Sequence, residues 1–347
     1  MKLGTFAAVV AIAAALVSSE AGAQASFTDD GGRTVALPAQ VGKVLPAGPP
    51  ASVDLLMLAP EKLVGLTRAL TPAEAALLPP ADAALPGLGR LTGRGNTINL
   101  ETVVKAAPDL IVDLGYVGDT FVSLADRVQQ QTGIPYVLIG GNLAATPATL
   151  RKLGKVLGAE ARAEALAQYA EETLALLKRR VDGVPPEKRP SVYIARGPRG
   201  LQTGVAGSIN AEALDLVGAR NVATPSLGAR GLAEVSLEQL LAWQPDVIIV
   251  IDPGFFAAVA QDKEWRALTA VGAKHVYLAP ALPFGWADEP PAANRLIGLR
   301  WLGKLLYPSL FPEDLRAETR RFYALFYQQQ PSDAQLDQLL ADALPPG

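Results

Sequence analysis

Four arginines stand in glycine-rich loops, Arg90 and Arg94 in "GRLTGRGNT", Arg196 and Arg199 in "ARGPRGLQTG". A guanidinium presents a planar fork of N–H donors that matches carboxylates, phosphates and other anions, so such loops suit an anionic small molecule. Three aromatics occupy comparable places: Tyr116 in "GYVGDT", and Phe284 and Trp286 in "FGWADEPPAANRLIGLRWL". They can cover flat ligand surface, and the Tyr116 phenolate could ligate iron in a haem. Asp288 and Glu289 are adjacent carboxylates, the pair a hydrolase would need, although neighbours in an irregular loop seldom face one bond. His275 is the single histidine and cysteine is absent. A site for bare zinc or manganese uses several such ligands, and a His-dependent nucleophile would have to rely on His275 alone. No catalytic residue, protein-held metal or resident cofactor is therefore expected. A metal, if carried, arrives wrapped in a chelator, while molybdate or tungstate would need only arginines, hydroxyls and backbone N–H groups.

Composition bounds where this chemistry takes place. Of 347 residues half are apolar, and the net charge is −3, which gives no electrostatic support to a nucleic-acid or polybasic membrane role. Residues 1–25 read as a cleavable export signal: Lys2 precedes a short apolar run, and small residues at Ala21, Ala23 and Ala25 set cleavage after residue 23 or 25. The run is too short to cross a bilayer, which takes about 20 apolar residues. The expected product is periplasmic, not membrane-inserted and monomeric, and its lack of cysteine leaves stability to burial alone.

The loops need elements to hold them, and an internal repeat supplies these. "INLETVVKAAPDLIVDL" (98–114) aligns without gaps on "VSLEQLLAWQPDVIIVI" (235–251). Each copy reads as a capping residue, a short helix, Pro-Asp and a strand apolar on both faces, as a parallel sheet requires. "PYVLIG", "SVYIARG" and "HVYLA" read as further strands, and "FTDDGGRTVALP" as an opening strand pair. The expected fold class is α/β: two lobes, each a mainly parallel sheet flanked by helices, joined by a single long helix. The first lobe spans 26–145, the linking helix 146–187, and the second lobe with terminal helices 188–347. In the linker, Leu166, Tyr169, Ala170, Thr173 and Leu177 fall on one helical stripe.

The export signal, the paired "(N/S)LE…PD(L/V)I" element and the long connecting helix together resemble periplasmic binding proteins that feed iron(III)-siderophore, haem and cobalamin ABC importers. The resemblance covers nearly the whole mature chain. It implies capture of a ligand between the lobes and delivery to a permease with its cytoplasmic ATPase. It also implies a role for Glu101 and Glu238, the matching glutamates of the two repeat copies, in docking to permease arginines. Dipole complementarity at a helix start would account for an acid at either position without any partner. The cargo expected is an iron(III) chelate or siderophore, with molybdate or tungstate, haem or a corrinoid as alternatives, and with a hydrolase using Asp288 and Glu289 as the alternative of another class. Within "FGWADEPPAANRLIGLRWL", helical spacing turns Arg295 inward, with Asp288 or Glu289 as its expected partner and Phe284 and Trp286 left to face the ligand.

Overall fold

Two helix-to-strand units of one sequence pattern fold alike and set the frame. The helix Leu100–Ala106 starts at Asn99, whose side chain accepts the Thr102 N–H, and ends at Ala107 with φ 46°. Its counterpart Leu237–Trp243 starts in a reciprocal capping box of Ser236 and Gln239 and ends at Gln244 with φ 42°. The aspartate of each Pro-Asp step has a structural task. Asp109 accepts the N–H groups of Gly42 and Lys43, at 2.8 and 2.7 Å, and Asp246 accepts the N–H and hydroxyl of Ser191, at 2.7 and 2.6 Å. Each tether registers a strand against the start of its neighbour.

The structure, a computed structural model, describes residues 26–93, 95, 97–228 and 231–345. The expected signal at 1–25 and Arg94 lie outside the described residues. β1 (Ser26–Thr28) and β2 (Thr34–Ala36) form an antiparallel hairpin. β3 (Val44–Pro46), β4 (Leu110–Gly115) and β5 (Tyr136–Gly140) form a parallel sheet with β4 in the middle. The second lobe contains β6 (Ser191–Ala195), β7 (Gln202–Gly204), β8 (Arg220–Asn221), β9 (Leu232–Glu234), β10 (Val247–Val250) and β11 (Val276–Leu278). Four of these make a parallel sheet in the order β11-β10-β6-β8, while β7 and β9 pair antiparallel.

Strand order locates the crevice. After β6 the chain builds β8 on one side and then β10 on the other, so connections diverge between β6 and β10. After β3 it first pairs Leu63 beside Val44 and then returns to place β4 on the opposite side. Divergence of this kind opens a crevice beyond the carboxyl ends of the strands, the usual ligand position in open α/β sheets. The residues that follow β3, β4, β6 and β10 are thereby aimed at one another.

The segment 146–187 holds two helices, of which the second is the long one. Thr146–Leu157 ends at Gly158, whose φ of 63° suits a left-handed helix end, and Glu160–Val181 begins beyond it. The second helix, 22 residues long, reaches about 33 Å at 1.5 Å per residue. Leu166, Tyr169, Ala170, Thr173 and Leu177 are all on its buried side. All but Thr173 join a core that runs continuously from Val44 and Val112 of the first lobe to Ile249 and Trp301 of the second. Separate clusters cover the other face of each sheet, around Ile111 and Tyr136 in one lobe and Ile248 and Trp265 in the other. A core shared along the helix resists relative movement of the lobes.

Candidate functional site

Residues of both lobes line a cavity of about 720 Å³ at the position set by the strand order. The first lobe contributes Arg68, Arg90, Thr92, Asp113 and Tyr116, and the second Arg196, Asn210, Phe284, Asp288 and Glu289. Of the residues singled out from the sequence, Arg90, Tyr116, Arg196, Phe284, Asp288 and Glu289 come together here.

The arginines are less available than their loops suggest. Arg196, the first residue after β6, pairs with Asp288 and with Glu289. Asn210 adds a 2.9 Å hydrogen bond to the second Asp288 oxygen. The carboxylates that a hydrolase would have used are therefore the two partners of one buried arginine. Burial pushes the Glu289 carboxyl above its ordinary value, with Arg196 opposing. Arg68, which the sequence reading did not single out, forms a two-pronged pair with Glu74 at 2.8 and 2.6 Å. Arg90 donates from Nε to the Gly95 carbonyl at 3.1 Å. Nearby acids could have been found in the sequence, but not which arginine each would take.

Three placements differ from expectation. Arg199 sits in the turn between β6 and β7, which Arg196 and Gln202 close by mutual backbone hydrogen bonds. Gly197 and Gly200 take φ of 73° and 68° there, and Arg199 is exposed and outside the cavity lining. Trp286 has no exposed surface, because its loop folds back: its backbone N–H donates to the Pro280 carbonyl at 2.8 Å. The helix Arg295–Leu306 presses on that backbone through Gly298, where a Cβ would stand 1.9 Å from the Trp286 oxygen. Of the expected aromatic pair, Phe284 alone lines the cavity. Arg295 is inward, but its acidic partner is Glu212 at 3.0 Å rather than Asp288 or Glu289. It donates further to the carbonyls of Ile209 and Gly141, at 2.7 and 3.2 Å, and Glu212 accepts the Leu143 N–H at 3.0 Å. The bond to Gly141 ties the second lobe to the first.

Tyr116 is 67% exposed, with its ring at an edge-to-face angle of 75° to Phe121. It stands at the cavity mouth rather than in the floor. Glu101 and Glu238 are both exposed, away from the cavity lining. His275 is exposed just ahead of β11, and among the described residues no group of His, Cys, Asp and Glu could hold a metal ion.

Two buried aspartates escaped the sequence reading because each lies in an apolar run. Asp54, in the helix Pro49–Leu58, accepts the Ala293 N–H across the lobes at 2.8 Å. Asp113, within β4, accepts from the Thr92 hydroxyl at 3.0 Å and the Tyr136 hydroxyl at 3.2 Å. Burial pushes each carboxyl up to about 6, against the lowering effect of these hydrogen bonds. A carboxyl raised in the folded state keeps its proton while the unfolded one, at about 3.9, has lost it. Its contribution to stability is full below about pH 4 and is lost as pH rises through about 6. Asparagine at 54 keeps an acceptor for Ala293 and does not ionise. The melting temperature of Asp54→Asn minus that of the wild type should therefore increase from pH 4 to pH 7, by an amount equivalent to ~3 kcal/mol. A difference that stays flat over that range would contradict the buried ionisation.

Comparison with known proteins agrees with this architecture. The family model for periplasmic binding proteins matches residues 54–282. The chain is 28% identical over 262 residues to the molybdate-binding protein MolA of Haemophilus influenzae, covering 69% of this chain and 72% of that one. Among solved structures, an ABC transporter solute binding protein from Sulfurospirillum deleyianum superposes with a TM-score of 0.83 and 32% identity, over 91% of this chain and 99% of that one. MolA bound to molybdate superposes with a TM-score of 0.73 and 24% identity, over 89% and 99%, which speaks to the fold. These relatives bind solutes and are not enzymes. With two α/β lobes around a shared cleft and a family match across most of both, this chain belongs to the periplasmic binding proteins of ABC transporters.

Proposed function

We propose that the protein captures an iron(III) chelate in the interlobe cleft, in the periplasm, and presents it to an ABC permease with its ATPase. The observation that carries the reading is the size and lining of the cleft. About 720 Å³ lies within the range of drug-sized ligand sites, roughly 300–1,000 Å³. A bare tetrahedral oxyanion displaces only a few waters' worth of volume, roughly 100 Å³, and would leave most of the cleft to solvent. The lining mixes aromatic, proline and paired polar groups, which suits a metal enclosed in an organic shell. No described helix is long and apolar enough to cross a membrane, in keeping with a carrier that meets its permease from outside.

The similarity to MolA favours a second reading, in which the cargo is molybdate or tungstate. A thermal-shift panel of ferric hydroxamate and catecholate complexes, haem, cobalamin, molybdate and tungstate separates the two. Binding at 100 times Kd stabilises by about 2.7 kcal/mol, a rise of roughly 5 °C in melting temperature for a chain of this size. The chelate reading expects that rise with a ferric complex and none with oxyanions. A rise with molybdate alone would replace it by the second reading.

A further inference from the structure

β4 is an apolar strand buried on both faces, except that its fourth residue is a carboxylate. Leu110, Val112 and Leu114 face the core shared with the linking helix, while Ile111 packs with Tyr136 on the opposite face. The period of two puts Asp113 on the side of Ile111 and Tyr136, and it lines the cavity with only 5% of its surface exposed. A buried carboxylate is retained at a cost unless its lone pairs are used. Thr92 and Tyr136 supply one hydroxyl hydrogen each, whereas a carboxylate accepts up to about four.

The other acids of the cavity wall have arginine partners: Glu74 has Arg68, and Asp288 and Glu289 have Arg196. Among the described residues Asp113 makes no ion pair, and its partners are the two hydroxyls and its local backbone. Gly48 leaves room for this arrangement. A Cβ there would lie 2.4 Å from the Thr92 hydroxyl oxygen and 3.2 Å from the Asp113 Oδ1, so any other residue would displace the hydroxyl from the carboxylate.

We propose that Asp113 is a specificity-determining contact, whose carboxylate accepts a hydrogen bond from an N–H or O–H group of the cargo and so selects metal chelates that carry such donors. A donor from the ligand fills acceptor capacity that hydroxyls leave open. A fully deprotonated oxyanion brings like charge to the same place and is disfavoured. The inference rests on the chelate reading above and deepens it.

Two neutral complexes differ in this one property: iron(III) tris(acetohydroxamate), whose ligands carry N–H, and iron(III) tris(N-methylacetohydroxamate), whose ligands do not. Titrations of the full mature chain with each, followed by tryptophan fluorescence, should give the wild type about a 10- to 100-fold tighter Kd for the N–H complex, the range for a hydrogen bond to a charged acceptor. Asp113→Leu, close in volume and without an acceptor, should bring the two Kd values to within about twofold, which separates hydrogen bonding from the bulk of the methyl groups. Equal wild-type affinity for the two complexes overturns the role of Asp113 and leaves the chelate reading standing. So does a preference that survives Asp113→Leu. Binding of neither complex, nor of any ferric chelate in the panel, overturns the chelate reading and this inference with it. Should the leucine variant fail to fold, the wild-type pair of titrations decides, with equal affinity counting against Asp113.

Discussion

Charge reversal of both repeat glutamates, Glu101→Lys with Glu238→Lys, should abolish uptake of the cargo by cells while leaving its Kd within about twofold of the wild type. Both side chains are exposed in the first turns of helices that start and end alike, after Asn99 and Ser236 and before left-handed residues at Ala107 and Gln244. Helix capping does not depend on either acid, since Asn99 accepts the Thr102 N–H in one helix and Ser236 pairs with Gln239 in the other. The Ser236 hydroxyl and a backbone N–H hold the Glu238 carboxyl below its ordinary value, so it is ionised wherever the protein works. Neither glutamate forms an ion pair among the described residues, and both lie outside the cavity lining. One acid on each lobe suits a transient, charge-steered contact with a basic partner, where complementarity governs encounter and register. Uptake assays in cells that depend on this importer, set beside titration of the purified variant, separate docking from binding. Uptake at wild-type rates would remove the glutamates from the docking surface.

Arg295→Met should lower stability by about 3–5 kcal/mol, the usual consequence of deleting one partner of a buried ion pair. In a chain of this size that corresponds to a fall of roughly 5–8 °C in melting temperature. Arg295 is 1% exposed, and burial draws its guanidinium below its ordinary value without bringing it near neutrality. Its removal leaves the largely buried Glu212 without its cation and the carbonyls of Ile209 and Gly141 without their donor. The loss also severs a link between lobes, since Glu212 holds the Leu143 N–H and Arg295 holds Gly141. Glu212→Gln keeps an acceptor for both donors and should cost markedly less. Calorimetry that finds Arg295→Met melting within about 2 °C of the wild type would show that the cluster contributes little to the fold.

The frame of the protein is visible in its sequence because its signals are local. Runs such as "VIIVI" read as buried strands without knowledge of their neighbours, and Ser236 with Gln239 announces a helix start at a fixed spacing. The linker shows the first limit. The stripe from Leu166 to Leu177 lies wholly within the second of its helices, and the end of the first is marked in the sequence by Gly158 alone. The site was legible in outline only. Arg196 and Tyr116 follow directly from strand ends, whereas the orientation of Arg199 depends on how the Arg196 and Gln202 backbones pair, and that of Trp286 on a loop that doubles back under Gly298. Partner choice was harder still. Asp288 and Glu289 are seven and six residues from Arg295 in sequence, but Arg196, far away in the chain, reaches them in space. Asp113 was hidden for the opposite reason: one acid inside "LIVDL" reads as core, and its exposure to the cleft exists only after β4 is placed beside β3 and β5.

An iron(III) chelate in the cleft between the lobes would place a single heavy scatterer there. Anomalous diffraction at the iron edge from crystals grown with the best ferric complex of the thermal-shift panel tests it most directly. One strong peak is expected between the Asp113 wall and the Arg196–Asp288 wall, within the cavity that Arg90 and Phe284 also line. An iron peak outside that cavity, or a cleft that gives a peak only at the molybdenum edge after growth with molybdate, would contradict it.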